Sequence, residues 1–322
     1  VVSGARLRLA FSASERLKGE RSLEELAGRY IRELKELIRH CMEEAKGGHT
    51  PSDFELAKVS QEKIDELESR GEEIEEIYKL SPLQEGLLFH NVYEEGSGLY
   101  VVQLSYRLEG DLDGEALRRA WEEVTRRHEV LRTGYEWEGV DEMLAVVRSS
   151  VEMSWEEKDW RGKGHEEQEE ELEKYLNEDR ERGFDASRAP LMRQTLIRMG
   201  EGRNQFVWTF HHLIMDGWCT PIITQEVIAL YEAYTGGREI EPGERRRYRE
   251  YIKWLRRRDL KKAEHYWKRT LSEPSGPTPR GIEKPERERS EGGYGKREKW
   301  LSAELTEQLE KLARKEQVTL NT

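Results

Sequence analysis

The sequence predicts an α/β (α+β) sandwich with a mixed sheet, and three observations predict it. Several short segments alternate apolar and polar residues with period two, the signature of half-buried strands. Between them lie stretches whose apolar residues recur every three to four positions, opened by recognisable caps. The two kinds of segment interleave without regular βαβ alternation, which argues against a doubly wound parallel sheet.

Element by element, residues 5–12 alternate as a strand. Ser22-Leu23-Glu24-Glu25 reads as a capping box opening a long amphipathic helix. Leu23, Leu26, Tyr30, Leu34, Leu37, Ile38 and Cys41 fall on one stripe, and Gly47-Gly48 ends it. A polar stretch follows to about residue 71, with turn chemistry at Thr50-Pro51-Ser52-Asp53 and a short helix around 61–69. A new unit begins near Ile74. Ser81 is an N-cap with Pro82 at the first helical position, before Leu83, Leu87, Leu88 and Val92. A strand is expected at 99–108, a helix from Asp113 to about 128, and strands at 131–137, 142–148 and 151–155. A charged helix spans 165–182. A hairpin pairs 191–199 with 205–211 around Gly200-Glu201-Gly202. Helices follow at 220–234, 248–257 and 260–271, then a linker at 272–293, a strand at 295–300 and a helix at 303–315.

Composition narrows the function classes. Charged residues are 37% of the chain, against about 25% in an average globular protein; they read as solvated helix faces. The net charge of −12 argues against a nucleic-acid surface, because acidic residues surround the basic runs at 245–247 and 256–258. No apolar run approaches the roughly 20 residues of a membrane span. Two cysteines, Cys41 and Cys219, give no disulfide framework, so a cytoplasmic setting is the expectation. Neither end reads as a natural terminus, so a window from a longer polypeptide is expected.

The chemistry concentrates in His211-His212-Leu213-Ile214-Met215-Asp216-Gly217-Trp218, which follows the apolar strand Phe206-Val207-Trp208-Thr209-Phe210. Imidazole both accepts and returns a proton near neutral pH, so acyl-transfer chemistry is the expectation. Adjacent strand residues point to opposite faces. Unless the strand ends between them, the pair therefore divides into one buried, hydrogen-bonded ring and one presented to a cavity, an arrangement that argues against a shared metal. Asp216 is either an orienting group or half of a buried ion pair whose candidate partner is Arg132. Gly217 offers a backbone N–H at close approach. No nucleophile elbow or phosphate-binding loop is present. Thr50 stands where a phosphopantetheine-bearing Ser would be needed after Gly47-Gly48-His49, so that likeness is dismissed.

His211-His212-x-x-x-Asp216-Gly217 resembles the signature of the chloramphenicol-acetyltransferase-like acyltransferases, and more narrowly that of the condensation domains of non-ribosomal peptide synthetases. Four further stretches are similar to that family in the right order. They are 81–90 (opening at Ser81-Pro82-Leu83-Gln84), 127–133 (Arg127-His128-Glu129 to Thr133), 248–254 (Tyr248 to Trp254) and 263–267 (Ala263 to Trp267). Tyr135 departs from the Phe that the family often carries.

The resemblance implies a two-layer sandwich with its first lobe complete at 76–268 and a second lobe truncated at 269–322. It implies that 1–57 is the tail of a preceding epimerization or condensation domain and 58–75 an interdomain linker. It implies amide formation between a carrier-bound thioester donor and a carrier-bound aminoacyl acceptor, with a D-configured donor favoured by the epimerization-like tail. His212 is then the base or the positioner of the amine. His211 and Asp216 are structural, Arg132 pairs with Asp216, and Gly217 lines the site. The phosphopantetheine arms come from upstream and downstream peptidyl carrier domains, beside adenylation and epimerization domains of one polypeptide. No metal or resident cofactor is expected. Two other readings share these motifs. An epimerization domain would racemise a single loaded carrier without an acceptor. A non-catalytic carrier-docking lobe would show no turnover, and turnover is not expected of the isolated piece.

Overall fold

Alternation builds two principal sheets rather than one. The computed structural model describes residues 2–3, 6–7, 9, 20–43, 48–71, 73–93, 100–238, 243, 246–272 and 299–321. The strands are β1 (Val2–Ser3), β2 (Arg6–Leu7), β3 (Ile74–Lys79), β4 (Val101–Glu109), β5 (Thr133–Glu136), β6 (Leu144–Arg148), β7 (Trp155–Asp159), β8 (Met192–Gly200) and β9 (Arg203–His211). The helices are α1 (Glu20–Glu43), α2 (Gln61–Ser69), α3 (Pro82–Tyr93), α4 (Gly114–Arg127), α5 (His165–Glu181), α6 (Cys219–Thr235), α7 (Tyr248–Arg256), α8 (Leu260–Thr270) and α9 (Ala303–Lys315). The chain divides into two units, 1–258 and 259–322; the second carries α8 and α9, capped by Asp259 and Ser302.

The four-stranded sheet, in the order β4-β9-β8-β7, positions the histidine pair. It is mixed, because β7 runs parallel to β8 while the other pairs are antiparallel. Residues 203–211 of β9 are buried at every position after Arg203. Two covered faces explain this. Phe206 and Trp208 pack against Trp121 of α4, in a core shared with Val227 and Leu230 of α6. On the other face Val207 meets Leu172 and Leu176 of α5, and the Thr209 hydroxyl donates to Asp179 at 2.5 Å. Burial works to raise the Asp179 carboxyl, but hydrogen bonds from Thr209 and Arg182 and the Arg193 charge hold it below the usual range.

The antiparallel three-stranded sheet, β3-β6-β5, supports the site from beside it. In β5, Gly134 lies so near the Ser187 carbonyl that any Cβ would sit 2.7 Å from it, so glycine is required. Residues 50–71, which read as polar linker, fold onto this sheet. Phe54, Ile64 and Leu67 are buried with Ile77, Leu144 and Val146. Leu56 bridges Tyr78 in parallel, and Lys63 pairs with Glu136 at 3.0 Å with both side chains buried. The apolar residues are too sparse among charges to announce themselves by period; the sheet collects them.

The strand expected at 151–155 forms instead at Trp155–Asp159. Val151 and Met153 alternate, but the ladder with β8 begins at Trp155↔Gln194, so pairing rather than period sets the boundary. The expected strand at 5–12 coincides with described structure only at Arg6–Leu7 of β2 and at residue 9. The linker from 273 onward and the strand from 295 to 298 lie outside the described residues. No helix among the described residues is long and apolar enough to cross a membrane.

Candidate active site

The two imidazoles separate at the end of β9. His211, the last strand residue, is 1% exposed; His212, the first residue of the turn, is half-buried. The His211 backbone N–H donates to the Leu191 carbonyl (3.0 Å), and that of His212 to the Tyr100 carbonyl (2.8 Å). The chain is thus held to both neighbouring segments as it leaves the sheet.

Hydrogen bonds fix both tautomers. His211 Nδ1 accepts the Leu213 backbone N–H at 3.1 Å, so its proton sits on Nε2 and faces Asn91 Oδ1 of α3 at 3.2 Å. Burial, aided by the neighbouring His212, pushes the His211 imidazole down to about 4, so it is neutral at physiological pH. His212 Nδ1 lies 3.0 Å from the Met215 carbonyl, which can only accept. In the neutral ring Nδ1 therefore carries the proton and Nε2 the lone pair. That lone pair is what a base or an amine-positioning acceptor requires.

The turn itself is anchored from α3 and β5. Gln84 is 6% exposed and Tyr135 is fully buried. Gln84 Nε2 donates to the Leu213 carbonyl (3.1 Å) and to the Tyr135 hydroxyl (3.1 Å), while that hydroxyl donates to the same carbonyl (2.7 Å). Gln84 Oε1 accepts from the Ser81 N–H (3.1 Å), the Ser81 hydroxyl (3.0 Å) and the Tyr248 hydroxyl (3.2 Å). With Gln84 N–H donating back to Ser81 Oγ, this is a buried capping box.

Sequence reasoning identified the Ser81 cap but missed the part Gln84 takes in it. The Ser-x-x-Gln spacing is the signal that could have found it. Nothing local marks Asn91 or Tyr100, whose contacts arise only when α3 and β4 meet β9.

Asp216 departs from expectation. It is exposed and makes no ion pair with Arg132. Its Oδ1 accepts the N–H groups of Trp218 (2.9 Å) and Cys219 (3.2 Å) and the Cys219 thiol (3.2 Å), closing the first turn of α6. The Cys219 thiol and these N–H groups outweigh desolvation and hold the carboxyl below its usual range.

Arg132 is buried and satisfied elsewhere. It pairs with Glu75 at 2.8 Å and donates to the carbonyls of Arg126 (3.1 Å), Ser149 (3.2 Å) and Arg148. The physical reason is placement. The 3-10 turn at Glu129–Arg132 delivers the guanidinium to the end of β6, where the Arg148 and Ser149 carbonyls meet its donors beside the Arg126 carbonyl of α4. Meanwhile Asp216 turns outward to cap a helix. Gly217 is exposed with open space where a Cβ would stand, so it is accessible but not sterically required.

Large apolar side chains stay exposed on the two helices that supply site contacts. Leu83 (69%), Phe89 (55%) and Tyr93 (77%) lie on α3; Trp218 (85%) and Ile222 (49%) lie at the start of α6. No group of three His, Cys, Asp or Glu able to hold a metal occurs among the described residues.

Comparisons with known proteins agree with one another. The family model described as "Condensation domain" matches residues 74–322. A linear gramicidin synthase polypeptide of Brevibacillus parabrevis is 41% identical over all of this chain, which covers 6% of that relative's length. Bacitracin synthase 3 of Bacillus licheniformis is 34% identical over 90% of this chain, which covers 5% of its length. The chain thus spans about a twentieth of these relatives. Among solved structures, the first condensation domain of the calcium-dependent antibiotic synthetase, in complex with a substrate analogue, has a TM-score of 0.56 at 17% identity. The match covers 63% of this chain and 50% of that one. The starter condensation domain of rhizomide synthetase, in complex with C8-CoA, also scores 0.56 at 17% identity, over 62% of this chain and 46% of its own.

Proposed function

Because the chain belongs to the condensation-domain family of non-ribosomal peptide synthetases, we propose that it contributes the histidine-bearing part of an amide-forming acyltransferase. The observation that carries this is the His212 tautomer. Nδ1–H is committed to the Met215 carbonyl, so Nε2 offers its lone pair in a half-buried position.

In the proposed reaction an upstream carrier presents an acyl or peptidyl thioester on its phosphopantetheine arm. A downstream carrier presents a neutral aminoacyl amine. The amine attacks the thioester carbonyl, a C–N bond forms, and the C–S bond breaks. One amine proton passes to His212 Nε2 or is held there by a hydrogen bond, and the departing sulfur is protonated. General-base assistance of this kind is worth about 10²–10⁴ in rate. His211 keeps its uncharged form and holds Leu213 and Asn91. Asp216 shapes the start of α6, and Gly217 leaves the adjacent surface open. The arms are substrate tethers supplied by the carriers; no resident cofactor enters the scheme.

The same reading assigns 76–268 to the first lobe and 269–322 to the start of the second. It assigns 1–57 to a preceding epimerization or condensation domain, in a cytoplasmic synthetase with adenylation neighbours and a D-configured donor. Residues 58–75 join the domains in this scheme, although Phe54 and Leu56 already pack into the first lobe ahead of them.

The test is dipeptide formation by the complete domain with both carriers loaded. His212→Ala lowers the yield rate by about 10²-fold or more; an unchanged rate sinks the assignment. Racemisation of one loaded carrier without an acceptor would select an epimerase instead. The 322-residue piece alone is expected to form no dipeptide.

A further inference from the structure

We infer that Gln84 and Tyr135 are positioning residues, which hold the Leu213 carbonyl and thereby aim the His212 Nε2 lone pair. The inference rests on the condensation reading above and adds to it the device that keeps the ring in place.

One carbonyl receiving two side-chain donors has both lone pairs occupied. Here the donors come from separate elements. Gln84 Nε2 stands 3.1 Å from the Leu213 oxygen and the Tyr135 hydroxyl 2.7 Å from it. Neither donor can rotate away. Gln84 is held at its other end by Ser81 and Tyr248, and its two N–H bonds are shared between Leu213 and Tyr135. The amide orientation is settled by this network, because Oε1 must face the Ser81 N–H and Nε2 must face a carbonyl. The Tyr135 hydroxyl stays protonated, since full burial pushes it far above the ordinary tyrosine value.

The clamped atom sits where it matters. The Leu213–Ile214 peptide lies between His212 and Met215, and the Met215 carbonyl is what receives the His212 Nδ1–H. On the near side, the Leu213 N–H is tied to His211 Nδ1 and the Ile214 N–H to the His211 carbonyl. Releasing the Leu213 carbonyl leaves the middle one of the three peptides between His212 and Met215 held only through its Ile214 N–H. Nδ1 then loses Met215, and the tautomer with Nε2 protonated becomes populated. A reacting group misplaced by about 1 Å costs up to about 10²-fold in rate.

The variant that isolates this effect is Tyr135→Phe, which deletes one oxygen and keeps the ring volume. It is made in the complete domain and assayed with both carriers loaded. The expected result is a fall in kcat of about 5–20-fold, with KM for the acceptor carrier shifted less than about twofold. On a His212→Ala background the same change should cost nothing further. A second readout needs no turnover. The ¹⁵N spectrum of histidine-labelled domain should show His212 protonated on Nδ1 in the parent and mixed between the nitrogens in Tyr135→Phe. Gln84→Met should shift the same signals further.

Equal losses in the parent and His212→Ala backgrounds, tracking a fall in Tm, would make Tyr135 merely structural and overturn the inference. So would parent-like kcat with an unchanged tautomer. Failure of the parent domain to form dipeptide would overturn the condensation reading instead. In that case the tautomer measurement still decides the clamp: a mixed signal upholds it and an unchanged one overturns it.

Discussion

The two halves of the motif are held in opposite ways. From His211 to Met215 the chain is fastened by groups from α3, the residue before β4, and β5: Gln84, Asn91, Tyr100 and Tyr135. From Asp216 to Cys219 it is held by hydrogen bonds that span only two or three residues. The buried half is specified by tertiary contacts and resists local repair. The exposed half is a helix start that would form wherever that sequence preceded α6. Loss of one buried partner should therefore be felt through the whole turn, whereas loss of Asp216 should stay local.

The strongest way to test this difference is through acid. The His211 imidazole is held at about 4 in the fold against 6.5 as the ordinary value. Between those values the unfolded chain binds a proton that the folded chain refuses, so stability rises with pH across that interval. The contribution is fully present above 6.5 and is lost as pH falls to about 4. The shift corresponds to roughly 3 kcal/mol. Urea unfolding between pH 4 and 7 should show this slope in the parent. In His211→Gln, which has no titrating ring, the slope from this group should vanish. An unaltered slope in the variant would mean the buried half does not exclude the proton.

The next effect concerns Arg132. Arg132→Met leaves three carbonyls without their donor, and should cost roughly 2 kcal/mol. Glu75 is about one-third exposed and can return to water, which keeps the loss below that of a fully stranded pair. Asp216→Ala removes an exposed cap and should cost about 1 kcal/mol. Because the two residues share no partner, the double variant should equal the sum within about 0.5 kcal/mol. A larger coupling in the double-mutant cycle would restore the ion pair expected from the motif.

The smallest expected effect is at Gly217. Its surroundings are open and its φ is not positive, so Gly217→Ala should move Tm hardly at all, within about 0.5 kcal/mol. A fall in dipeptide formation without a fall in Tm would show that the open surface there serves the carrier-borne substrate.

Much of this was legible in the chain. The Gly200-Glu201-Gly202 hairpin and the helix opened by Asp113 follow from turn chemistry and capping, which act within a few residues. The division of the histidines into one buried and one presented ring was expected from strand alternation, but it arises because β9 ends between them and His212 opens the turn. The ion pair was misread because charge and sequence order name candidate partners but not distances. Arg132 found Glu75 and the end of β6, and Asp216 found the helix it precedes.

By itself the sequence determined most of the elements and the family, because period, caps and motif spacing are local properties. Only the tertiary structure decided the partner of His211 Nε2, the clamp on Leu213 and the packing of 50–71 onto the sheet. Those depend on hydrogen-bond partners up to 129 residues apart. A bond of that kind is selected by which surfaces meet in the folded chain, and no local pattern records it.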